Sequence, residues 1–339
     1  MRSNGTMTGW SICAHGCVRR GLAVIACALA SVLVTASSRA QDYPTRPVRI
    51  IVPFPAGGTA DVMPRIVADW LSRKWGQPVL IENKTGAAGN IGAEAAFNAE
   101  PDGYTLLSAP PPPLVINQNL YPKLAFDPTQ FVPISVMGIV PNALVVNPQK
   151  IAANSVADFI AYAKRNPAKV SAATQGNGST SHLTSELFQL MAQVQFLQVP
   201  YRGSAPALQG LLAGDVDVMF DNLGVSLALV KGGQLKLIAV GTDKRMSALP
   251  DVPTIAETLP GFASAAWFAV VAPPKTPPPI VARISADIAE AIRQPDVRKR
   301  FDDLSADPVG GTPAETAAFI KAETARWRDV IVKNEIRVD

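Results

Sequence analysis

The chain has 339 residues, of which 48% are hydrophobic and 17% charged. This composition supplies well-packed cores and argues against a disordered protein. The formal net charge of +4 comes from four arginines among the first forty residues, so residues 41–339 carry 27 basic and 27 acidic side chains. Nucleic-acid binding needs a retained basic stripe, and we therefore expect no nucleic-acid partner.

The first forty residues are predicted to be a cleaved secretion signal. Arg19 and Arg20 precede an apolar run over residues 21–35, and residues 38–40 (SRA) offer small side chains where a signal peptidase cleaves. An uncleaved anchor is the alternative, but a membrane span needs about 20 apolar residues. The mature chain is expected to begin at Gln41 in the periplasm. The paired arginines leave the export route, unfolded or folded, open.

The mature chain has few residues of the kinds that most enzymes use. All three cysteines lie in the leader, and His182 is the one histidine after it. We therefore expect no disulfide, no cysteine nucleophile, no His-rich or Cys-rich zinc site and no cofactor. A carboxylate-only metal site or a paired-carboxylate hydrolase stays open as an alternative, but no cluster of acids in the sequence suggests one, and we expect no metal. A serine hydrolase using Ser179 or Ser181 with His182 is the alternative. Sequence neighbours rarely have that geometry, and no Gly-x-Ser-x-Gly motif occurs, so we predict that the chain is not an enzyme.

Strand and helix patterns alternate in the first part of the mature chain. A strand at residues 48–52 is followed by a glycine-containing loop over residues 53–61 and a helix. A second strand at residues 79–81 leads through the glycine-rich residues 86–92 into another helix, and a third strand covers residues 104–107. Such alternation predicts a largely parallel sheet flanked by helices.

The same alternation restarts near residue 143. Strands are predicted at residues 143–146, 170–173, 196–199, 216–220, 235–240 and 265–271, with helices between them ending near Arg165, Met191, Ala213 and Lys231. Two helical patterns follow the proline-rich residues 273–279. The last helix is introduced by Thr312, Pro313 and Glu315, which are typical cap, first-turn and capping-box residues.

These patterns predict an α/β protein of two domains, each with a mixed, mostly parallel sheet. Domain 1 is expected to comprise residues 41–141 and 266–339, and domain 2 residues 142–265. Strands near residues 142–147 and 265–271 are expected to cross between the domains as a hinge. Residues 110–113 (PPPP) are interpreted as a short rigid turn.

Two loops are predicted to bind an anion. Gly57 and Gly58 lie between a strand and a helix, where free N–H groups and the helix dipole favour a carboxylate or phosphate. The alternative is a tight turn that needs glycine for its geometry, and Asp61 is predicted to cap the helix. Residues 176–182 (GNGSTSH) repeat this arrangement with three hydroxyls, where the alternative is an ordinary N-cap.

Two further segments follow predicted strands, at the sheet edge where open α/β folds bind ligands. Residues 201–204 (YRGS) follow one strand, and Asp221 and Asn222 follow another. Arg202 could pair with a carboxylate, although an exposed loop arginine is the simpler interpretation. The glycines at 86, 89 and 92 do not match a dinucleotide-binding motif and are interpreted as a close-packed turn.

Five spaced motifs resemble the Bug family, the periplasmic receptors of tripartite tricarboxylate transporters. They are residues 53–61 (PFPAGGTAD), 82–92 (ENKTGAAGNIG), 101–107 (PDGYTLL), 199–203 (VPYRG) and 249–254 (LPDVPT). The resemblance implies a two-domain periplasmic binding protein of type II-like fold. It also implies delivery of a small organic carboxylate, such as a di- or tricarboxylate, an acidic amino acid or an aromatic carboxylate, to integral membrane subunits.

Carried over by motif, the resemblance implies a ligand site built by loops of both domains. The implied residues are Phe54, Pro55, Ala56, Gly57, Gly58, Thr59, Asp61, Ser108, Gly178, Ser179, Thr180, Ser181, His182, Tyr201, Gly203 and Asp221. Residues 109–113 depart from the family, which more commonly has polar residues after Ser108. The receptor is expected to be a monomer. A ligand-sensing role for a membrane sensor kinase is the alternative to transport.

Overall fold

The computed structural model describes residues 43–246, 249–333 and 336–337. The predicted leader lies outside the described residues. Residues from Arg46 onward form one compact unit, and the described residues before it belong to another. Within the described part of the chain, no helix combines the length and apolar character needed to cross a membrane.

The compact unit alternates strands and helices, as predicted. Its strands are β1 (Val48–Val52), β2 (Val79–Asn83), β3 (Thr105–Ala109), β4 (Val132–Val146), β5 (Val170–Thr174), β6 (Phe196–Pro200), β7 (Val218–Asn222), β8 (Lys236–Val240), β9 (Ala265–Ala272) and β10 (Asp307–Pro308). Its α-helices are α1 (Thr59–Trp75), α2 (Asn90–Phe97), α3 (Asn117–Leu120), α4 (Val156–Arg165), α5 (Thr180–Ala192), α6 (Ser204–Ala213), α7 (Leu223–Lys231), α8 (Pro278–Arg293), α9 (Pro295–Asp303) and α10 (Pro313–Lys333).

The strands form two halves joined through β4. In the first half the order is β2-β1-β3-β9-β4, with parallel pairs around β1 and antiparallel pairs on both sides of β9, and β10 also pairs with β4. In the second half the end of β4 pairs antiparallel with β7 and β8, and β7, β5 and β6 are parallel. We call these parts, with their connecting segments, the first and second halves.

β4 is longer than predicted, because residues 132–141 contain two prolines and a glycine that mask its strand pattern. Those residues pair with β9, and the last five residues of β4 pair with β7, four of them also with β8. The strand β9 pairs with β3 and β4. The chain returns from the second half just before β9. The assignment of residues to two domains stays a prediction.

Asn142 in β4, Gly241 after β8 and Ser264 before β9 are joined to one another by three backbone hydrogen bonds, two of which involve β4. Gly241 N–H donates to Asn142 O at 2.6 Å, Ser264 N–H to Gly241 O at 2.7 Å, and Asn142 N–H to Ser264 O at 3.3 Å. A Cβ placed on Gly241 would lie 2.5 Å from Ser264 O and 2.9 Å from Asn142 O. Only glycine therefore allows the three segments to approach this closely.

Each half has its own apolar cluster. In the second half, four phenylalanines pack around Phe188, whose ring lies 5.1 Å from that of Phe220 and 5.7 Å from that of Phe159. Aromatic pairs at such distances contribute about 0.5–1.5 kcal/mol beyond the burial of their surface. In the first half, the buried Trp267 and Trp327 belong to a cluster that also contains Leu183 from α5 of the second half.

The proline run is more than the short turn predicted for it. A π-helical turn covers Pro112–Ile116 and continues into α3, and its residues are buried in the first-half cluster. Prolines suit the first turn of a helix because φ is already near −65° and the missing N–H would have no helical acceptor. The run therefore starts a helical segment that connects β3 to the core.

Candidate functional site

A cleft of about 530 Å³ lies between loops of the two halves. The first half contributes Phe54 and its neighbours, the loop over residues 85–89, and Tyr121. The second half contributes residues 175–177, Ser179 and residues 200–203. Arg202 is the one charged residue among the described residues that line the cleft. The two halves thus share one site that contains no acidic side chain in its lining.

Three helices begin at or beside this cleft. The N-caps of α5 and α6 are Ser179 and Gly203, and both line it. The N-cap of α1 is Gly58, on which a Cβ would lie 3.6 Å from the Cβ of Ser204 at the start of α6. A helix N-terminus carries about half a positive charge and N–H groups without helical acceptors. The arrangement therefore favours an anion without requiring a buried cation.

Asp61 holds the loop that precedes α1. Its carboxylate accepts from Gly57 N–H at 3.1 Å, Arg65 Nε at 2.9 Å and Asn83 Nδ2 at 2.9 Å. Burial alone would raise the Asp61 pKa, but these hydrogen bonds outweigh it and lower the pKa below its usual value. Asn83 also donates to Phe54 O at 2.9 Å. The Asp61 charge is thus neutralised by Arg65, and the residue lies behind the loop, outside the cleft lining.

His182 is buried at the start of α5. Gly178 N–H donates to its Nδ1 at 3.2 Å, and Nε2 lies 3.6 Å from Glu186 Oε1. Burial lowers the His182 pKa, and the charge of Glu186 opposes this only in part. Ser179 Oγ accepts from the backbone N–H of His182. Both ring nitrogens thus face groups other than a serine hydroxyl. In a catalytic serine and histidine pair, a ring nitrogen would instead be within hydrogen-bond reach of the hydroxyl.

A buried polar network lies directly behind the second-half loops. Asp221 Oδ1 accepts from Ser204 Oγ at 2.8 Å and from Gln175 Nε2 at 2.9 Å. Its other oxygen, Oδ2, has no hydrogen-bond partner among the described residues, and the Ser226 hydroxyl donates to Leu223 O at 3.3 Å. Desolvation raises the pKa of Asp221 to about 6, against the opposing effect of these hydrogen bonds. Asp221 is fully buried, so it acts on the cleft through Ser204 and Gln175.

Three predicted site hydroxyls are buried without a hydrogen-bond partner in the described part of the chain. They belong to Thr59, Ser108 and Ser181. Buried hydroxyls are normally paired, so each unpaired one requires an explanation, and a bound solute or water is one. Thr59 lies beside Gly224 of the second half, since a Cβ on that glycine would be 3.1 Å from its Oγ1.

The halves are in contact across the cleft. A Cβ placed on Gly203, whose φ is +104°, would lie 3.2 Å from Pro55 Cγ. Leu183 is fully buried in the apolar cluster of the first half, although α5 belongs to the second. The described conformation is therefore one in which the cleft is narrow and the two halves are packed together.

The structure brings together part of the predicted site. Of the predicted residues, the cleft lining contains Phe54, Pro55, Ser179, Tyr201 and Gly203. Outside this lining are Ala56, Gly57 and Gly58, which are exposed or partly buried, and Thr59, Asp61, Ser108, Gly178, Thr180, Ser181, His182 and Asp221, which are buried. Their roles in binding stay predictions. Among the described residues, no group of three His, Cys, Asp or Glu side chains is placed to hold a metal ion.

Sequence reasoning missed several lining residues. The glycines at 86, 89 and 92 are close-packed as predicted, since a Cβ on them would lie 2.5, 3.2 and 2.5 Å from a neighbouring atom. Residues 85–89 also line the cleft beside Phe54, which was not predicted. Tyr121 and Gln175 line it as well. Gln175 directly precedes the glycine-rich segment 176–182, so its position after β5 was the available signal. Tyr121 follows the unexpected helical turn, and no local pattern identified it.

Comparison with known proteins identifies relatives along nearly the whole chain. The tripartite tricarboxylate transporter family receptor, TctC, matches residues 63–336. Protein BugT of Bordetella pertussis is 39% identical over 315 residues, which cover 92% of this chain and 96% of BugT. A protein encoded in the tcbD-tcbE intergenic region of Pseudomonas sp. strain P51 is 37% identical, covering 95% of this chain and 96% of that protein.

Solved structures of similar proteins share the fold. Rpa4515 of R. palustris, solved with adipate, has a TM-score of 0.84 and 38% identity, covering 87% of this chain and all of that one. MatC of Rhodopseudomonas palustris, solved with bound malate, has a TM-score of 0.80 and 34% identity, covering 85% of this chain and all of MatC. The periplasmic binding protein BugD has a TM-score of 0.83 and 31% identity, covering 87% of this chain and all of BugD.

These comparisons confirm the predicted mixed α/β binding-protein fold and the resemblance carried by the five motifs. The family consists of solute-binding receptors and not of enzymes. Its members are periplasmic binding proteins. The chain belongs to the tripartite tricarboxylate transporter receptor family.

Proposed function

We propose that this receptor captures a small carboxylate between its two halves and delivers it to the membrane subunits of a tripartite transporter. The observation that carries the proposal is the convergence of three helix N-termini on a cleft whose described lining contains no acid. Such a site stabilises a negative charge through backbone N–H groups and dipoles. The adipate and malate bound by Rpa4515 and MatC support the same class of ligand.

The proposed site contains all sixteen residues predicted from the sequence. Ser179, Tyr201 and Gly203 would contact the solute from the second half, and Phe54 and Pro55 from the first. The buried hydroxyls of Ser108 and Ser181 are available for the solute or for bound water. Asp61, His182 and Asp221 would act by holding the binding loops, because the Asp61 carboxylate, His182 Nδ1 and Asp221 Oδ1 accept hydrogen bonds from protein groups.

Closure would couple binding to recognition by the transporter. We propose that the domains 41–141 plus 266–339 and 142–265 move about Asn142, Gly241 and Ser264, where the chain passes between the halves. A solute that contacts both halves shifts the population toward the closed state. A fall in the radius of gyration on ligand addition, measured by X-ray scattering, would support closure.

We further propose that the receptor acts as a monomer in the periplasm after cleavage of the leader near Ala40.

Thermal unfolding tests the ligand class. The protein, unfolded and refolded to remove co-purified solute, is heated with di- and tricarboxylates, acidic amino acids and aromatic carboxylates. A ligand at 100 times its Kd stabilises the folded state by about 2.7 kcal/mol and raises Tm by several degrees. Diamines of matched length serve as controls. The proposal would be contradicted if only the diamines raised Tm, or if none of the carboxylates raised it.

A further inference from the structure

Gln175 presents a defined chemical group to the cleft. It follows β5 and is one of the partly buried residues that line the cleft. Its amide nitrogen donates to Asp221 Oδ1 at 2.9 Å and to Asn222 Oδ1 at 3.2 Å. Both hydrogens of the amide are therefore used inside the second half. The carbonyl oxygen, Oε1, accepts no hydrogen bond from any described residue and remains for the cleft.

Neighbouring groups hold the amide in this orientation. Asp221 Oδ1 also accepts from Ser204 Oγ at 2.8 Å, which keeps that oxygen an acceptor. Asn222 donates through Nδ2 to Asn142 Oδ1 at 2.6 Å, so its own Oδ1 faces Gln175. Turning the Gln175 amide over would place its oxygen against two other oxygens. Gln175 therefore offers the solute an acceptor, and a solute must supply a donor to match it.

The electrostatics of the cleft narrow the kind of donor. The described lining offers an ammonium group no carboxylate, whereas it includes Arg202 and the N-caps of α5 and α6. The carboxylate of Asp221 lies behind the Gln175 amide, and its Oδ1 is already hydrogen-bonded to Gln175 and Ser204. A hydroxyl group carries no charge and pairs with an amide oxygen without that cost. A solute that carries only carboxylates leaves Oε1 unpaired once the cleft closes, which is unfavourable.

Resting on the proposed carboxylate site, we propose that Gln175 makes this receptor selective for small hydroxycarboxylates over the same acids without the hydroxyl. The carboxylate is held by the helix N-termini. The hydroxyl donates to Gln175 Oε1. The selectivity comes from a single acceptor, because a site built to pair a hydroxyl discriminates strongly against the analogue that lacks it.

Matched pairs of acids test the selectivity. Binding of malate and succinate, citrate and tricarballylate, and lactate and propionate is measured by calorimetry on the protein expressed from the full-length chain. In at least the pair whose size fits the cleft, the hydroxy acid is expected to bind about tenfold more tightly than the acid without the hydroxyl, which corresponds to about 1.4 kcal/mol of binding free energy. Equal affinities within every pair that binds overturn the inference and leave the carboxylate receptor standing. Absence of binding by any carboxylate refutes the proposed function instead.

Two variants assign the selectivity to Gln175. Gln175→Met keeps the length of the side chain and removes the acceptor, so the ratio within the pair is expected to fall close to one. Gln209→Met, an exposed change on α6, is expected to keep the wild-type ratio. An unchanged ratio in Gln175→Met overturns the assignment, as does tighter binding of aspartate than of malate. If Gln175→Met does not fold, the wild-type pairs still decide the selectivity.

Discussion

Leu183 is expected to control ligand affinity without touching the ligand. It is fully buried in the apolar cluster of the first half, although its helix belongs to the second half. Opening the cleft would return its side chain to water. The change Leu183→Ala removes about three buried carbon atoms, which destabilises the closed state by about 2 kcal/mol. Because the open state does not pay this cost, the Kd of the carboxylate is expected to rise about 30-fold.

Calorimetric titration measures this effect, with a carboxylate identified by thermal unfolding. Leu190→Ala is the matched control, because Leu190 lies on the same helix and is 49% exposed. It is expected to leave Kd unchanged. Phe188→Ala is the second control, because Phe188 lies in the cluster of the second half. It is expected to lower the free energy of unfolding by about 3–5 kcal/mol.

The reasoning about Leu183 is refuted by one pattern of results. If Leu183→Ala destabilises the ligand-free protein as strongly as Phe188→Ala and leaves Kd unchanged, Leu183 is packed equally in the open and closed states. Its burial would then be a permanent part of the fold. The contact between the halves would carry none of the free energy of closure.

Three further changes have defined outcomes. Gly203→Val places a side chain against Pro55 at a backbone φ of +104°, which introduces strain of about 1–3 kcal/mol. The change should weaken carboxylate binding at least several-fold in titrations, and an unchanged Kd would contradict this. Burial raises the Asp221 pKa to about 6 from 3.8, so its contribution to stability is full below pH 3.8 and is lost as pH rises through about 6. Between pH 3.8 and a pH above about 6, the free energy of unfolding of Asp221→Asn, measured in urea titrations, should therefore rise by roughly 3 kcal/mol relative to that of the wild type. If the free energies of unfolding of the two proteins change in parallel with pH, this reasoning is refuted. Gly241→Ala places a Cβ 2.5 Å from Ser264 O and should lower the free energy of unfolding by about 2 kcal/mol or more; an unchanged urea midpoint would sink this idea.

Local patterns were sufficient for most elements. β1 was predicted with its observed bounds, because Val48–Val52 is a short apolar run that ends at a proline. The end of α4 was also predicted, since this helix ends at Arg165. In α10, Thr312 and Glu315 form the predicted reciprocal contacts. Capping and strand signals depend on residues close in sequence, so they can be recognised without the fold.

The site was only partly predictable, because its chemistry depends on partners that are distant in sequence. Gln175 became an acceptor toward the cleft through Asp221 and Asn222, which lie 46 and 47 residues further along the chain. No local pattern around Gln175 contains that information. The raised pKa of Asp221 has the same origin, since desolvation follows from the packing of β7 between other strands.

The sequence by itself determined the alternating elements, the glycine loops at the ends of strands and the family. Tertiary structure alone decided which residues share the cleft. Leu183 and Phe188 lie on one helix and are both fully buried, yet they pack in the clusters of different halves. Apolar periodicity reports that a side chain will be buried, because burial requires only an apolar face. The periodicity does not predict which residues the side chain will pack against. Those partners depend on how β4 and the segment at Gly241 bring the two halves together.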